Sequence, residues 1–379
     1  MSAIRNGIAV TSLVTLLTAT PAVAEPDHRP VTLVELLPLP GDASTSARDI
    51  AEDGTVVGSS TPRGSLSPRR AVRWDTSGAP TDLGTLGGAT STADAVNRHG
   101  VAVGHAQRAD GRTHAVSWDR DGRIRDLGTL PGGQSSQASG IGPDGTVVGT
   151  SSTADGSRHA VRWDPEGRIT DLGLPAGTEG SWANQVNAAG DVLGGASVHT
   201  GGIKAVLWDR EGRMTVLEGL GGSGAYAWDL GEDGTAVGQA ETTAASHPVR
   251  WDHAGRVTRL SDLSGSANAV GRDGTVVGRA GGQALRWDRR GVPTTLDPGA
   301  GGESASAADI DRRGRVVGAV QRTDIAATRA VRWDRRGHVT ELPTPAGAVN
   351  GGAAKSNRRG QAIGGFSFAG GGFRGVLWL

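Results

Sequence analysis

Between Val31 and Leu379 the chain alternates short apolar stretches with polar, glycine-bearing turns on a steady beat. One unit, Thr81 to Leu127, carries the whole pattern. Ser91-Thr92-Ala93-Asp94-Ala95-Val96 reads as a strand of small residues, and Asn97-Arg98-His99-Gly100 as a turn. Val101-Ala102-Val103-Gly104 is a second strand, followed by a loop that differs from unit to unit. Ala115-Val116-Ser117-Trp118 is a third strand, and Asp119-Arg120-Asp121-Gly122 turns the chain again. Arg123 to Leu127 is a fourth strand, and a glycine-rich link leads on. Four short, Val-rich β-stretches per unit match one blade of a β-propeller.

Tryptophan sets the count. Trp74, Trp118, Trp163, Trp208, Trp251, Trp287, Trp333 and Trp378 are separated by 44, 45, 45, 43, 36, 46 and 45 residues, so eight units run from about Val31 to Leu379. The expected fold is all-β, an eight-bladed propeller of four-stranded antiparallel blades. The chain enters on a fourth-strand element, Val31 to Leu37, and stops on a third-strand element, Val376 to Trp378. The N-terminal strand should therefore complete the last blade by antiparallel pairing, which removes two open sheet edges. Each Trp is expected to pack between blades as core. The recurring Asp-x-x-Gly turns, such as Asp164 to Gly167 and Asp334 to Gly337, are explained by a side chain that bonds the backbone two residues on and a glycine that takes positive φ. That reading leaves the turn aspartates structural.

The N-terminal segment has a different pattern. Arg5, an apolar run from Ile8 to Leu17 and Ala22-Val23-Ala24 read as a secretory signal peptide over residues 1–24, with a short linker at 25–30 and one propeller domain over 31–379. The run falls short of the ~20 apolar residues of a spanning helix, so no membrane span is expected, and the mature chain should be secreted and extracellular. The absence of cysteine removes disulfides, thiolate catalysis and Cys-type zinc sites. The 39 basic and 39 acidic residues balance, which gives no electrostatic reason to expect nucleic acid as partner. The abundance of Arg, Ala and Gly suggests a high-GC bacterial source, and a monomer is expected.

The repeat resembles the HAF-type extracellular repeat family, whose units run S-x-A-x-x-I-N-x-x-G-x-V-V-G-x-S, a loop, H-A-F-x-W, and a D-L-G-T-L-G-G link. Ser91 to Gly104, His114 to Trp118 and Asp126-Leu127-Gly128-Thr129-Leu130-Pro131-Gly132-Gly133 carry the likeness, which spans almost the whole mature chain. Val116, Val161, Val249 and Val331 stand where the family often has Phe. His114, His159 and His247 keep its His, while Arg70, Lys204, Gln283, Arg329 and Arg374 replace it elsewhere. A position that accepts Lys and Arg does not supply a metal with a lone pair. The resemblance implies secretion and a propeller-like fold, without a defined activity. The Trp-Asp dipeptide is weakly similar to WD40 propellers.

Candidate chemistry lies on the first strand of each unit. One column of positions reads Arg48, Asp94, Ser139, Asn184, Trp228, Asn268, Ala308, Ala354, and the next Asp49, Ala95, Gly140, Gln185, Asp229, Ala269, Asp309, Lys355. Trp182, Tyr226 and Trp228 break the small-residue pattern in adjacent units. With Asn184, Gln185 and Asp229 they form a candidate ligand site, in which rings stack on a sugar and amides or carboxylates bond its hydroxyls; the alternative is that these rings fill core. Convergence of Asp49, Asp229 and Asp309 on the channel axis would set three carboxylates, with carbonyl oxygens, round a cation. There is no Gly-x-Ser-x-Gly elbow and no His-Glu-x-x-His, so no catalytic residue, metal ligand or cofactor is assigned. Two functions follow: a non-catalytic propeller binding a polysaccharide or protein partner, or a polysaccharide hydrolase or lyase at the channel mouth.

Overall fold

The computed structural model describes residues 30–62, 68–199 and 201–379. The expected signal peptide and all of the linker but Pro30 lie outside them. Residues 31–379 form one compact unit of strands, with no helix among the described residues. The strands make six four-stranded antiparallel sheets and one eight-stranded sheet. The larger sheet is two blades joined by a single parallel bridge between Arg158 and Gly180, so the blades number eight. Numbered along the chain, they begin with first strands Asp42–Ile50, Gly87–Val96, Ser136–Ile141, Thr178–Val186, Ala225–Leu230, Gly265–Val270, Gly302–Ile310 and Ala348–Ser356. These first strands neighbour one another in a closed ring and border the channel. Several strands outrun the apolar pattern: in blade 2 the first starts at Gly87 and the second, Ala102–Arg108, continues well past Gly104. Backbone pairing carries on through polar residues there, where side-chain alternation no longer marks it.

The ring closes as the phase of the repeat predicts. Leu33, Val34 and Glu35 pair antiparallel with Trp378, Leu377 and Val376. Beyond them the Thr32 and Leu379 amides donate to each other's carbonyl oxygens, and Leu36 N donates to Gly375 O at 2.9 Å. A side chain seals the same joint: Asn357 Nδ2 of blade 8 donates to Ala51 O of blade 1 at 2.9 Å.

All eight repeat tryptophans are buried to 2% exposure or less. Each indole N–H donates to a carbonyl on the fourth strand or link that precedes its blade, as with Trp118 to Leu83 O at 2.7 Å and Trp163 to Leu127 O at 2.8 Å. A large ring thereby fills each blade interface while its one polar atom is satisfied. Arginines one position ahead of the Trp repeat a second link. Arg73, Arg162, Arg250 and Arg286 reach turn carbonyls of the next blade.

Every first strand is bulged at the same place. At that shared place the ladder skips one residue in each blade, namely Arg48, Asp94, Ser139, Asn184, Trp228, Asn268, Ala308 and Ala354, and five of the ladders shift register a second time nearer the start of the strand. The bulge explains the glycine that ends each Val-Val-Gly-like stretch. A Cβ on Gly104 or Gly194 would lie 2.0 or 1.9 Å from a first-strand carbonyl oxygen, which no side chain survives without backbone movement.

Candidate functional site

The six candidate ligand residues fall into three groups. Gln185 and Asp229 belong together: Gln185 Nε2 donates to Asp229 Oδ1 at 2.8 Å, and Asp229 Oδ2 accepts the Val270 amide of the next blade at 2.8 Å. The same latch recurs. Asp49 Oδ2 accepts Val96 N at 2.9 Å, and Asp309 Oδ2 accepts Ser356 N at 2.7 Å and Ser356 Oγ at 2.9 Å. These carboxylates therefore tie successive first strands together. Lys355 Nζ sits 3.1 Å from Asp49 Oδ1 across the joint between the last and first blades. Crowding by protein, then the nearby Asp229 charge, pushes the Asp309 carboxyl above its usual range. Asp49, then Asp309 and Asp229, push the Lys355 ammonium up. The channel thus holds three carboxylates and one ammonium, with Asp229 and Asp309 held by neutral donors. Among the described residues, no group of three or more His, Asp or Glu side chains is arranged to hold a metal ion.

Trp182 and Asn184 form the second group. Both line a cleft of about 450 Å³ between blades 3 and 4, with Gln137, Ser139, Arg158 and Glu179. That volume falls in the range of small-molecule sites. The Trp182 ring reaches over its cross-strand partner Gly195, where a Cβ would lie 2.7 Å from the ring. Glycine makes the space in which this ring lies flat on the sheet. The cleft is in the two blades joined by the Arg158–Gly180 bridge.

Tyr226 and Trp228 form the third group, one blade on. Their rings stack with centroids 6.0 Å apart and planes inclined by 15°. Trp228 is a bulge residue, unpaired in the ladder and 51% exposed, whereas Tyr226 is half-buried. A core role for Trp228 does not fit that exposure. An aromatic platform therefore faces solvent beside the Gln185–Asp229 link, one blade from the Trp182 cleft.

In five of the eight units the changeable His position has a carboxylate partner that sequence reasoning missed, whereas in blade 5 His247 meets Arg259 instead. His114 Nδ1 bonds Asp126 Oδ1 at 2.9 Å, His159 Nδ1 bonds Asp171 Oδ2 at 2.8 Å, and Arg70 bonds Asp82 at 2.7 Å. Arg329 lies 3.6 Å from Glu341, and Arg374 lies 3.3 Å from Glu35 at the closing strand. His, Arg and carboxylate form a cross-strand pair between third and fourth strands. The signal was a His or Arg followed twelve residues later by Asp or Glu, at 70/82, 114/126, 159/171 and 329/341. On the channel side, His105 Nδ1 is 3.1 Å from Asp94 Oδ2, a bulge residue.

No family model matches this chain, and no curated protein matches it. Solved structures of β-propeller proteins are similar to it. Dipeptidyl peptidase 4 from Porphyromonas gingivalis aligns with a TM-score of 0.53 at 9% identity, over 86% of this chain and 56% of that one. A puromycin hydrolase S511A mutant complexed with PGG aligns with a TM-score of 0.51 at 14% identity, over 86% of this chain and 58% of that one. Virginiamycin B lyase from Staphylococcus aureus aligns with a TM-score of 0.46 at 14% identity, over 92% of this chain and 99% of that one. This chain spans little more than half the length of the peptidase and the hydrolase. At such identities the likeness is one of fold.

Proposed function

We propose that this chain is a secreted, non-catalytic recognition propeller of the HAF-repeat type, binding a polysaccharide through the aromatic surfaces of blades 4 and 5. The observation that carries the reading is the stacked Tyr226–Trp228 pair, with Trp228 half-exposed at a bulge that frees it from the ladder. An indole held rigid at a solvent-facing edge offers a flat apolar face to a sugar ring at little entropic cost. The cleft around Trp182 and Asn184 adds amide, hydroxyl and charged groups for the hydroxyls of further residues of the polymer. The leader-like segment at residues 1–24 supports export. The channel aspartates, which a hydrolase or lyase would need, are engaged with the backbone of neighbouring blades.

The test is retention of the purified mature protein on a panel of neutral polysaccharides and peptidoglycan, with release of soluble fragments assayed in parallel. Saturable retention without fragments is expected, weakened tenfold or more by Trp228→Ala, an effect of about 1.4 kcal/mol or above. Trp182→Ala should weaken it independently. Fragment release, or retention unchanged in both variants, overturns the reading.

A further inference from the structure

The formal charge of zero conceals a division on one face of the ring. That face is made by the tight turns after the first and third strands of each blade. Passing round it, the second position of the first turn holds Glu52, Arg98, Pro143, Ala188, Glu232, Arg272, Arg312 and Arg358 in blades 1 to 8. The last three are consecutive arginines. The five tight turns of blades 6 to 8 (271–275, 288–292, 311–315, 334–338 and 357–361) carry ten Arg against four Asp. The six corresponding turns of blades 3 to 5 (142–146, 164–168, 187–191, 209–213, 231–235 and 252–256) carry four Arg against nine carboxylates. One arc is therefore formally +6 and the other −5 on the same face.

The basic arc is concave and its charges converge. A cleft of about 640 Å³ between blades 6 and 7 is lined by Arg272, Arg286, Arg312 and Arg335, with Asp273 and Asp311. Asp311 is already engaged by Arg315 Nε at 2.8 Å, and Asp273 Oδ1 accepts the Thr275 amide at 3.0 Å. Arg272, Arg312 and Arg336 are exposed. Loss of solvation, then repulsion from Arg358 and Arg272, holds the Arg312 guanidinium below its usual value, with Glu52 and Glu232 opposing. Like charges gathered at this range repel one another in the free protein and are relieved by a multivalent anion. Guanidinium forks match tetrahedral oxyanions through paired hydrogen bonds.

We propose that this arc is a second binding site, independent of the aromatic surface, for a glycan bearing sulfate or phosphate esters. The turns of the arc carry no Trp, Tyr or Phe, and His338 is their one ring, so they lack the run of aromatic faces on which successive bases stack, which favours a glycan over single-stranded nucleic acid. The cleft, two blades wide, suits discrete charged groups on a flexible chain.

The experiment compares binding of the mature protein to heparin, poly(glycerol phosphate), uncharged dextran and a DNA oligonucleotide of matched charge, from low to moderate salt. Binding to heparin or poly(glycerol phosphate), but not to dextran, is expected, and the tighter of the two identifies the ester. Arg272→Gln/Arg312→Gln/Arg336→Gln should cut that affinity roughly tenfold or more and flatten its salt dependence by about two charges. The same triple variant should keep its melting temperature, and Trp228→Ala should leave polyanion binding unchanged. An unaffected triple variant, or no retention of either polyanion, overturns the site. DNA bound as tightly as the glycans overturns the ligand class. Loss of polyanion binding in Trp228→Ala would show that only one surface exists.

Discussion

Two columns of residues run round this ring, and they behave in opposite ways. At the third strand, all eight blades have Trp, all eight rings are buried, and all eight indoles bond the preceding blade. At the first-strand bulge, the eight blades have Arg, Asp, Ser, Asn, Trp, Asn, Ala and Ala. The first column sits between sheets, where a missing ring leaves a void and an unpaired carbonyl. The second belongs to residues that the ladder skips, so no cross-strand neighbour dictates its size or polarity. Closure of the ring constrains one column and frees the other, and the freed column supplies Trp228 and Asn184 to the proposed recognition surfaces.

The sharpest way to break this contrast is to make the constrained column vary. Trp163→Ala should cost about 3–5 kcal/mol, the range for truncating a buried aromatic, and leave Leu127 O without its donor. Denaturant unfolding measures it. A loss below about 1 kcal/mol would mean that the interface collapses round the gap and the Trp column is less demanding than its burial suggests.

A smaller effect comes from turns that depend on charge rather than burial. The Ser77 hydroxyl, then the Ala79 and Ser77 amides, hold the Asp75 carboxyl below its ordinary value, and the Arg256 amide, then its side chain, does the same for Asp252. A carboxyl depressed in the folded state contributes stability that is fully present above the unfolded value of about 3.9 and is lost as pH falls through the folded value. The melting temperature should accordingly decline from about pH 4 downward. Asp75→Asn/Asp252→Asn, which keeps an acceptor oxygen without the charge, should show a shallower decline. An acid profile identical to the parent's would remove these carboxylates from the account.

The smallest expected effect is on the freed column. Trp228→Ala should change stability by no more than about 0.5 kcal/mol, because the ring is half-exposed and outside the ladder. A loss like that of Trp163→Ala would erase the difference between the columns and return Trp228 to the core.

What sequence reading reached follows this same divide. The blades, their number, the Trp interfaces and the closing strand were legible because a large ring, an Asp-x-x-Gly turn and a Val-rich strand each leave a local mark. The bulge left none, since it is a property of hydrogen-bond register. The glycine opposite it was visible only as punctuation until its Cβ was seen to meet a carbonyl oxygen. The six candidate residues were grouped by nearness in sequence and unit. The fold separates them because Gln185 and Asp229 are drawn into an interblade latch, Trp182 turns into one cleft, and Tyr226 stacks on Trp228 in the next blade. The division of charge was hidden by a net total of zero and becomes visible once turns are compared blade by blade.

The closing joint also fixes how the ring would respond to a pull. Thr32 and Leu379 are bonded neighbours at one end of an antiparallel seam whose other end is Leu36 with Gly375. Force applied between those two residues loads the hydrogen bonds one after another, as in a zipper, rather than all together in shear. The seam is therefore the weak line of the molecule under tension, and blade 8 is where the ring would open.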